Sequence, residues 1–357
     1  MRVGVIGCGR VAREGHLPAL ARLKDVEVVA VADPVDARLE QVGASFGVGR
    51  RHRDHAELLG DPTVEAVAVC VPAEAHVEVA SAAAAAGKQV LLEKPPALGL
   101  DEWDRLEAAI AEARIVFMLG MSMRWQEPFR AARDLVRDGR LGRVLGIRTV
   151  LSNDWLQHSD VADWRGERRR GGGALVEMGV HHLDLWRFLL DTEVEEVFAI
   201  AQGDDESLAV SGRMENGVPT SSFFSQSTGQ TNEVEIYGEA GRLTATPHCA
   251  PRLVPVSTRP WTLDAKLRDL GSVIALPHAV RTRREGGFFV APFVAQWRQF
   301  AAAVRGGAAV EVGVDSARRL LQTMLAAAES THTGRPIRRA EAPRALAPAR
   351  AESASPG

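Results

Sequence analysis

Lysine is scarce in this sequence, which makes each lysine informative. Only four of the 43 basic residues are lysines: Lys24, Lys88, Lys94 and Lys266. Lys94 follows an apolar segment after a single residue, Glu93, at a position where arginine would be the default cation of this chain. Lysine differs from arginine in that its pKa shifts when the ammonium is desolvated, which suits proton chemistry. The alternative is an ordinary surface lysine at the end of a strand.

Disulfides, long apolar runs and excess charge are also missing. The three cysteines are odd in number, widely spaced and form no CxxC pattern, which favours a reducing compartment without a disulfide framework. No run of about 18 apolar residues occurs, so no transmembrane helix is expected. The net charge of -3 argues against a nucleic-acid or anionic-membrane surface. An apolar strand follows Met1 without an export signal, so a cytoplasmic location is expected.

The length of 357 residues predicts two domains, each with its own core. We place a dinucleotide-binding domain at 1–122 and a substrate-binding and oligomerisation domain at 123–338. The remaining segment, 339–357, is rich in alanine, proline, arginine, serine and glutamate, and is expected to be a disordered tail.

The first strand, 3–6, runs into Gly7-Cys8-Gly9-Arg10-Val11-Ala12, a G-x-G-x-x-A turn that opens a helix. This pattern is typical of dinucleotide binding. Gly7 makes the tight turn, Gly9 lets the backbone approach a pyrophosphate, and Ala12 lets the helix pack closely on the strand. The free amides of the helix N-terminus would hold the pyrophosphate.

A second strand, 26–32, ends in Asp33, at the distance from the glycine turn that the pattern requires. A carboxylate there can accept both hydroxyls of the adenine ribose and would repel a 2′-phosphate. Arg38 is not obviously placed to bind such a phosphate, so NAD is expected rather than NADP. The alternative is that Asp33 only caps the following helix, 35–44.

Strands and helices continue to alternate through the first domain. Strands at 64–71, 89–92 and 115–119 and helices at 74–86 and 100–113 predict a doubly wound parallel sheet, the Rossmann arrangement. Ligands bind such sheets beyond the carboxyl ends of the strands. The residues expected to contact the cofactor there are Gly7, Gly9, Arg10, Val11, Ala12, Asp33, Pro72, His76, Glu93 and Lys94.

The second domain changes character after a helix at 126–138. Its short β-rich segments predict an open, mostly antiparallel sheet with one face free for a partner subunit. The fold class is therefore α/β, with a Rossmann domain followed by an α/β domain. The segments are strands at 144–152, 194–201, 208–214, 220–226 and 233–237, and late helices at 292–304 and 315–331.

A glycine triplet, Gly171–Gly173, precedes a helix whose one face carries Glu177, His181 and Asp184 at positions i, i+4 and i+7. This stripe could be a solvated face, a structural hydrogen-bond network or a metal site. No metal is expected, because no cysteine or second suitably spaced histidine supports a binding site.

The loop before the triplet contains Trp155, Trp164 and Arg165. These residues could form a platform and a cation for a sugar, or they could simply pack the loop. The run Arg168–Arg170 is interpreted as a solvated charge cluster, with a phosphorylated or acidic substrate as the alternative.

Together, the G-x-G-x-x-A turn, Glu93-Lys94-Pro95 and the glycine triplet with its polar helix resemble the glucose-fructose oxidoreductase / inositol dehydrogenase (Gfo/Idh/MocA) family. The resemblance covers about residues 1 to 338 and implies NAD(P)-dependent redox chemistry on sugars, cyclitols or related polyols. It also implies a homodimer or homotetramer formed through the C-terminal sheet, a catalytic pair of Lys94 and His181, and an often cis Lys94-Pro95 bond.

Two positions depart from the family pattern. Many members carry aspartate where this chain has Glu177, and the longer side chain can change which substrate hydroxyl is held. The family's usual asparagine after the last strand of the first domain is replaced by Ser122.

The expected reaction is reversible hydride transfer between nicotinamide and a secondary alcohol carbon. His181 would be the acid/base, Lys94 would stabilise the alkoxide, and Glu177 would orient substrate or His181. The alternatives are an enzyme that recycles bound NAD during glycoside cleavage or epimerisation, and a nucleotide-sensing binding protein without chemistry. The expected substrate contacts are Arg124, Trp155, Trp164, Arg165, Glu177, His181 and Asp184.

Overall fold

Two β-sheets organise the computed structural model, which describes residues 1–157, 172–203, 205–256 and 287–346. One sheet has six strands and the other has eight. A parallel sheet followed by a mostly antiparallel one confirms the expected α/β fold class.

The first sheet is parallel throughout, with strand order β3-β2-β1-β4-β5-β6. Its strands are β1 Arg2–Ile6, β2 Glu27–Ala32, β3 Arg50–His52, β4 Ala66–Val69, β5 Gln89–Glu93 and β6 Phe117–Gly120. All four residues of β4 are buried, as expected of a central strand covered on both faces. The sequence did not reveal β3, because this edge strand reads Arg-Arg-His and has no apolar residue.

Helices connect these strands and cover both faces of the sheet. They are α1 Leu17–Leu20, α2 Asp36–Phe46, α3 His55–Leu59, α4 His76–Ala85 and α5 Leu100–Ala113. A π turn, Ala12–His16, lies between the glycine turn and α1, and a 3₁₀ turn, Ala73–Ala75, precedes α4. Because β2, β1, β4 and β5 are adjacent and parallel, their carboxyl ends bring Asp33, Gly7, Pro72 and Lys94 to one edge.

The second sheet has the order β13-β12-β11-β7-β10-β9-β8-β14. Its strands are antiparallel to their neighbours except for β7 and β10, which run parallel. The strands are β7 Val144–Ser152, β8 Val194–Gln202, β9 Ser207–Met214, β10 Pro219–Ser225, β11 Thr231–Gly238, β12 Gly241–Thr246, β13 Cys249–Pro255 and β14 Ile337–Arg338. The last three strands were not predicted; β13 contains two prolines, and β14 has only two residues.

The described ranges contain four further helices. They are α6 Glu127–Arg137, α7 Val180–Leu190, α8 Gly287–Val304 and α9 Val314–Thr333. A second π turn, Leu175–Gly179, leads into α7. Helix α9 packs on β8 and α7 and also reaches α5 and β6, while α8 returns to pack on α1 and the first π turn. The chain therefore crosses back to the first sheet near its end.

The structure corrects the predicted disordered tail at its beginning. Residues Arg339–Glu341 form a 3₁₀ turn, and Ala345 forms an isolated bridge with Gly99. The guanidinium of Arg344 donates to Asp101 at 2.6 Å. The rest of that segment, 347–357, lies outside the described residues. None of the helices in the described ranges is long and apolar enough to span a membrane.

Candidate active site

The glycine turn after β1 has the shape that a dinucleotide requires. Gly7 has φ +92°, and a Cβ on it would lie 2.5 Å from the carbonyl oxygen of Cys70, so only glycine fits. At Gly9, by contrast, a Cβ would meet nothing within 4 Å. Ala12 is fully buried, as close helix packing requires. The turn therefore leaves open space at Gly9, where a pyrophosphate would approach.

Asp33 is fixed at the end of β2 by two backbone amides. Its Oδ2 accepts from the amide of Cys8 at 2.8 Å, and its Oδ1 accepts from the amide of Val35 at 2.9 Å. Val35, and not Asp33, is the N-cap of α2, which argues against the capping alternative. Arg38 lies 3.7 Å from Asp33 Oδ2 and thus beside the ribose-binding position, closer than the sequence suggested.

Two of the expected cofactor contacts are occupied by other partners. His76 is buried, with Nδ1 2.7 Å from the carbonyl of Pro95 and Nε2 3.0 Å from the carbonyl of Val71. Burial lowers the pKa of His76, although these two contacts oppose the shift. Glu93 is also buried; its Oε1 lies 2.9 Å from His16 Nε2, and its Oε2 accepts from the Lys94 amide at 3.3 Å. Both side chains therefore stabilise this edge of the sheet through contacts within the protein.

Lys94 links the first sheet to the second domain. Its ammonium donates to the carbonyl oxygen of Glu177 at 3.1 Å and lies 3.4 Å from Glu177 Oε2. The two side chains are only 13% and 9% exposed. Glu177 lies in the second π turn, a rare conformation that is found often at functional sites. The Lys94-Pro95 bond is cis, as the family resemblance implied.

His181 lies one turn after Glu177, at the start of α7, and is half-buried. Within the described ranges, its Nδ1 has no hydrogen-bond partner. Burial, the nearby Lys94 ammonium and His182 place the pKa of His181 well below its ordinary value of 6.5. His181 is therefore neutral at pH 7 and able to accept a proton.

The neighbouring histidine, His182, has different surroundings from His181. His182 is fully buried, and its Nε2 lies 3.2 Å from Asn232 Oδ1. Burial lowers the pKa of His182 to about 4. It packs edge to face against Phe224 at 5.9 Å, which fits a role in packing.

The structure corrects two of the expected substrate contacts. Arg124 and Asp184 form a bidentate pair at 2.5 and 2.6 Å, and Arg187 adds a contact to Asp184 at 3.2 Å. Asp184 is fully buried and Arg124 is 7% exposed, so neither presents its charge to a ligand. The pair joins the 3₁₀ turn Ser122–Trp125 to α7. Removing one partner of such a buried pair typically costs about 3–5 kcal/mol of folding stability.

The loop residues expected to bind substrate are only partly placed. Trp155 begins a 3₁₀ turn after β7, and the guanidinium of Arg10 lies 5.3 Å from its ring centroid. Arg10 also donates to Glu14 at 2.9 Å. Trp155 thus faces the glycine turn from the second domain in a cation–π contact. Trp164, Arg165, the run Arg168–Arg170 and Gly171 lie outside the described residues.

The sequence did not reveal two residues that support the site. His16 lies at the end of the first π turn, and Trp297 lies on α8, 281 positions later. The indole of Trp297 donates to His16 Nδ1 at 3.0 Å, and His16 in turn contacts Glu93. The position of His16 shortly after the glycine turn could have marked it as a candidate site residue. Nothing in the sequence, however, identifies Trp297 as its partner.

Comparisons with known proteins identify relatives of both parts of the chain. Residues 1–121 match a family described as an oxidoreductase family with an NAD-binding Rossmann fold, and residues 129–244 match the GFO/IDH/MocA C-terminal domain. The chain is 30% identical to a myo-inositol 2-dehydrogenase from Thermotoga maritima, over 69% of this chain and 75% of the relative. It is 32% identical to a 1,5-anhydro-D-fructose reductase from Ensifer adhaerens, over 68% of this chain and 74% of the relative.

The fold is also found among solved structures. The crystal structure of a probable dehydrogenase from Thermotoga maritima superimposes with a TM-score of 0.78 at 24% identity. The match covers 96% of this chain and 100% of that chain. Both sheets of the present structure therefore belong to a known two-part architecture.

The low pKa of His181 can be measured directly. With ¹⁵N-labelled histidine, we expect NMR to show His181 titrating below pH 6.5 because of burial and the Lys94 charge. Lys94→Met removes that positive charge and should raise the pKa of His181, whereas Lys24→Met, at an exposed position, should not. Titration at or above pH 6.5, or equal behaviour of the two variants, would contradict the assignment.

Proposed function

Because the chain belongs to the GFO/IDH/MocA oxidoreductase family, we propose that it transfers hydride between NAD and a secondary alcohol or ketone carbon of a cyclitol or sugar. The chain is thus a dehydrogenase or reductase acting on CH–OH groups. A myo-inositol 2-dehydrogenase and a 1,5-anhydro-D-fructose reductase among its relatives support this choice of substrate class. The observation that carries the proposal is the pairing of Lys94 with Glu177 beside His181, at the edge that holds the glycine turn.

The residues of the first sheet fit NAD. The open space at Gly9 would admit the pyrophosphate, and the oriented carboxylate of Asp33 would accept the ribose hydroxyls. Bound there, NAD would supply the reversible hydride transfer to and from the substrate carbon. The protein contributes placement, charge and proton transfer.

Proton transfer is assigned to His181, and stabilisation of the charge on the reacting oxygen is assigned to Lys94. In the oxidative direction, neutral His181 takes the hydroxyl proton, and the Lys94 ammonium donates a hydrogen bond to the same oxygen as its negative charge develops. In the reductive direction, His181 returns the proton to that oxygen. Glu177 supplies the negative charge that a largely buried ammonium requires.

The function is tested by following NADH absorbance after mixing the protein with NAD⁺ and either myo-inositol, scyllo-inositol or D-glucose. Lys94→Met and His181→Asn should each lower kcat by about 10²–10⁴-fold, the usual contribution of an acid/base group or oxyanion donor. Lys24→Met is the matched control and should stay within about twofold of wild type, as surface substitutions usually do.

Each other outcome has a distinct meaning. Substrate consumption without net NADH would favour the alternative in which bound NAD is recycled during glycoside cleavage or epimerisation. Activity of both site variants within about tenfold of wild type would contradict the assigned roles. Failure to bind either NAD⁺ or NADH would contradict the proposed cofactor, whereas binding of either without turnover of any substrate would favour a nucleotide-sensing protein without chemistry.

We also propose that a second copy of the chain packs on the open face of the eight-stranded sheet. Four side chains form a continuous row across β8, β9, β10 and β7, in the register Ile200, Ala209, Phe223 and Val150. Ile200 is 60% exposed and Phe223 is 42% exposed. An exposed apolar row of this kind is typical of a subunit interface.

Sedimentation equilibrium tests this interface. We expect wild type to be a dimer or tetramer of the 38.5 kDa chain and Phe223→Asp to shift it towards the monomer. Phe289→Asp changes an equally apolar, 54% exposed side chain outside the sheet and should leave the assembly intact. A monomeric wild type, or equal dissociation of both variants, would contradict the interface.

A further inference from the structure

We propose that a buried hydrogen-bonded chain of Trp297, His16 and Glu93 positions Lys94 for catalysis. This inference rests on the catalytic role proposed for Lys94. This hydrogen-bonded chain starts on α8, passes through the first π turn and ends at the carboxyl end of β5. It makes Trp297 and His16 positioning residues, since neither has a place among the groups that would touch substrate.

The contacts form an unbroken line. The indole Nε1 of Trp297 lies 3.0 Å from His16 Nδ1, and His16 Nε2 lies 2.9 Å from Glu93 Oε1. The other oxygen of Glu93 accepts from the backbone amide of Lys94 at 3.3 Å. Trp297 and His16 are fully buried, and Glu93 is 6% exposed. In such surroundings each polar group needs a specific partner.

The direction of the hydrogen bonds follows from the donor at one end. An indole N–H can only donate, so His16 Nδ1 must be the acceptor. His16 therefore carries its single proton on Nε2 and donates it to the carboxylate of Glu93. A second proton on Nδ1 would face the indole N–H donor-to-donor. Trp297 thus fixes the orientation in which His16 contacts Glu93.

Two glycines make room for this arrangement. A Cβ on Gly15 would lie 2.8 Å from the ring of Phe293, which packs against His16 with ring centroids 4.9 Å apart. A Cβ on Gly120, paired with Glu93 across β5 and β6, would lie 3.0 Å from Glu93 Oε1. A larger residue at Gly120 would displace Glu93 itself, and one at Gly15 would displace Phe293, which packs on His16.

Lys94 is consequently held at both ends. Glu93 accepts from its backbone amide, and Glu177 accepts from its ammonium. Because displacements of about 1 Å can cost roughly 10²-fold in rate, a fixed amide at the start of this side chain bears directly on turnover. The C-terminal part of the polypeptide, through α8, thereby supports Lys94 at the end of a strand in the first sheet.

The first test needs no substrate. In the NAD complex of ¹⁵N-histidine-labelled protein, we expect NMR to show His16 as one neutral form with the proton on Nε2. Trp297→Phe keeps the ring packing but removes the donor, and should abolish that single form by permitting a proton on Nδ1. A proton on Nδ1 of His16 in wild type would overturn the proposed chain, whatever the outcome of the activity assays.

The second test compares two buried tryptophans. Trp297→Phe should lower kcat about tenfold and change the substrate KM by less than about threefold, as expected for lost positioning. Trp103→Phe is the matched control: Trp103 is fully buried, and its indole has no hydrogen-bond partner in the part of the chain that the structure describes. It should keep kcat within about twofold.

A double-mutant cycle separates positioning from packing. In a His16→Leu background, Trp297→Phe should have no further effect on kcat, because the chain is already broken. His16→Gln, whose amide can still donate to Glu93, should retain more activity than His16→Leu. If Trp297→Phe and Trp103→Phe have equal kcat, the inference is wrong. If Lys94→Met still inactivates the enzyme in that case, the proposed function is unaffected.

Discussion

The contact between Lys94 and Glu177 is the constraint on which the rest of the site depends. It joins the end of a strand in the parallel sheet to a π turn that belongs to the other half of the molecule. An ammonium this strongly buried requires a negative partner, and that partner comes from outside its own sheet. The pairing therefore fixes the second domain against the cofactor edge and places His181 one helical turn away.

Other contacts support the same junction from several sides. The Arg124–Asp184 pair anchors α7 just beyond His181, and Arg10 meets Trp155 above the glycine turn. His76 links the ends of β4 and β5 by contacting two backbone carbonyls. Most of these residues are buried and already paired. Much of the polar chemistry at this edge thus serves to position a small number of reactive groups.

The sequence predicted features whose physical cause is local. Gly7 and Gly9 follow a strand directly, and Asp33 ends the next one, so the cofactor edge could be inferred from spacing alone. Helical periodicity likewise placed Glu177 and His181 near each other. The family resemblance then suggested the proposed catalytic pair and implied the cis bond at Lys94-Pro95, which spacing could not provide.

Features that depend on distant partners could not be predicted. Asp184 had the spacing of a ligand-binding residue, but its two oxygens contact Arg124, 60 positions earlier, and Arg187. Glu93 and His76 lie at the cofactor edge, yet their partners are His16 and two backbone carbonyls. The strands β3 and β14 are too short and polar to show an apolar pattern, and they form because a neighbouring strand offers hydrogen bonds.

The scarcity of lysine makes the central contact measurable. Reductive methylation followed by peptide mass spectrometry can report the reactivity of Lys94 and of exposed Lys24 in the same sample. We expect Lys94 to react more slowly than Lys24 in wild type, because burial and the contact with Glu177 shield its amine from the reagent. In Glu177→Gln, which weakens that contact, Lys94 should react several times faster while Lys24 is unchanged. Equal reactivity of the two lysines, or no response of Lys94 to Glu177→Gln, would contradict a site built on this pair.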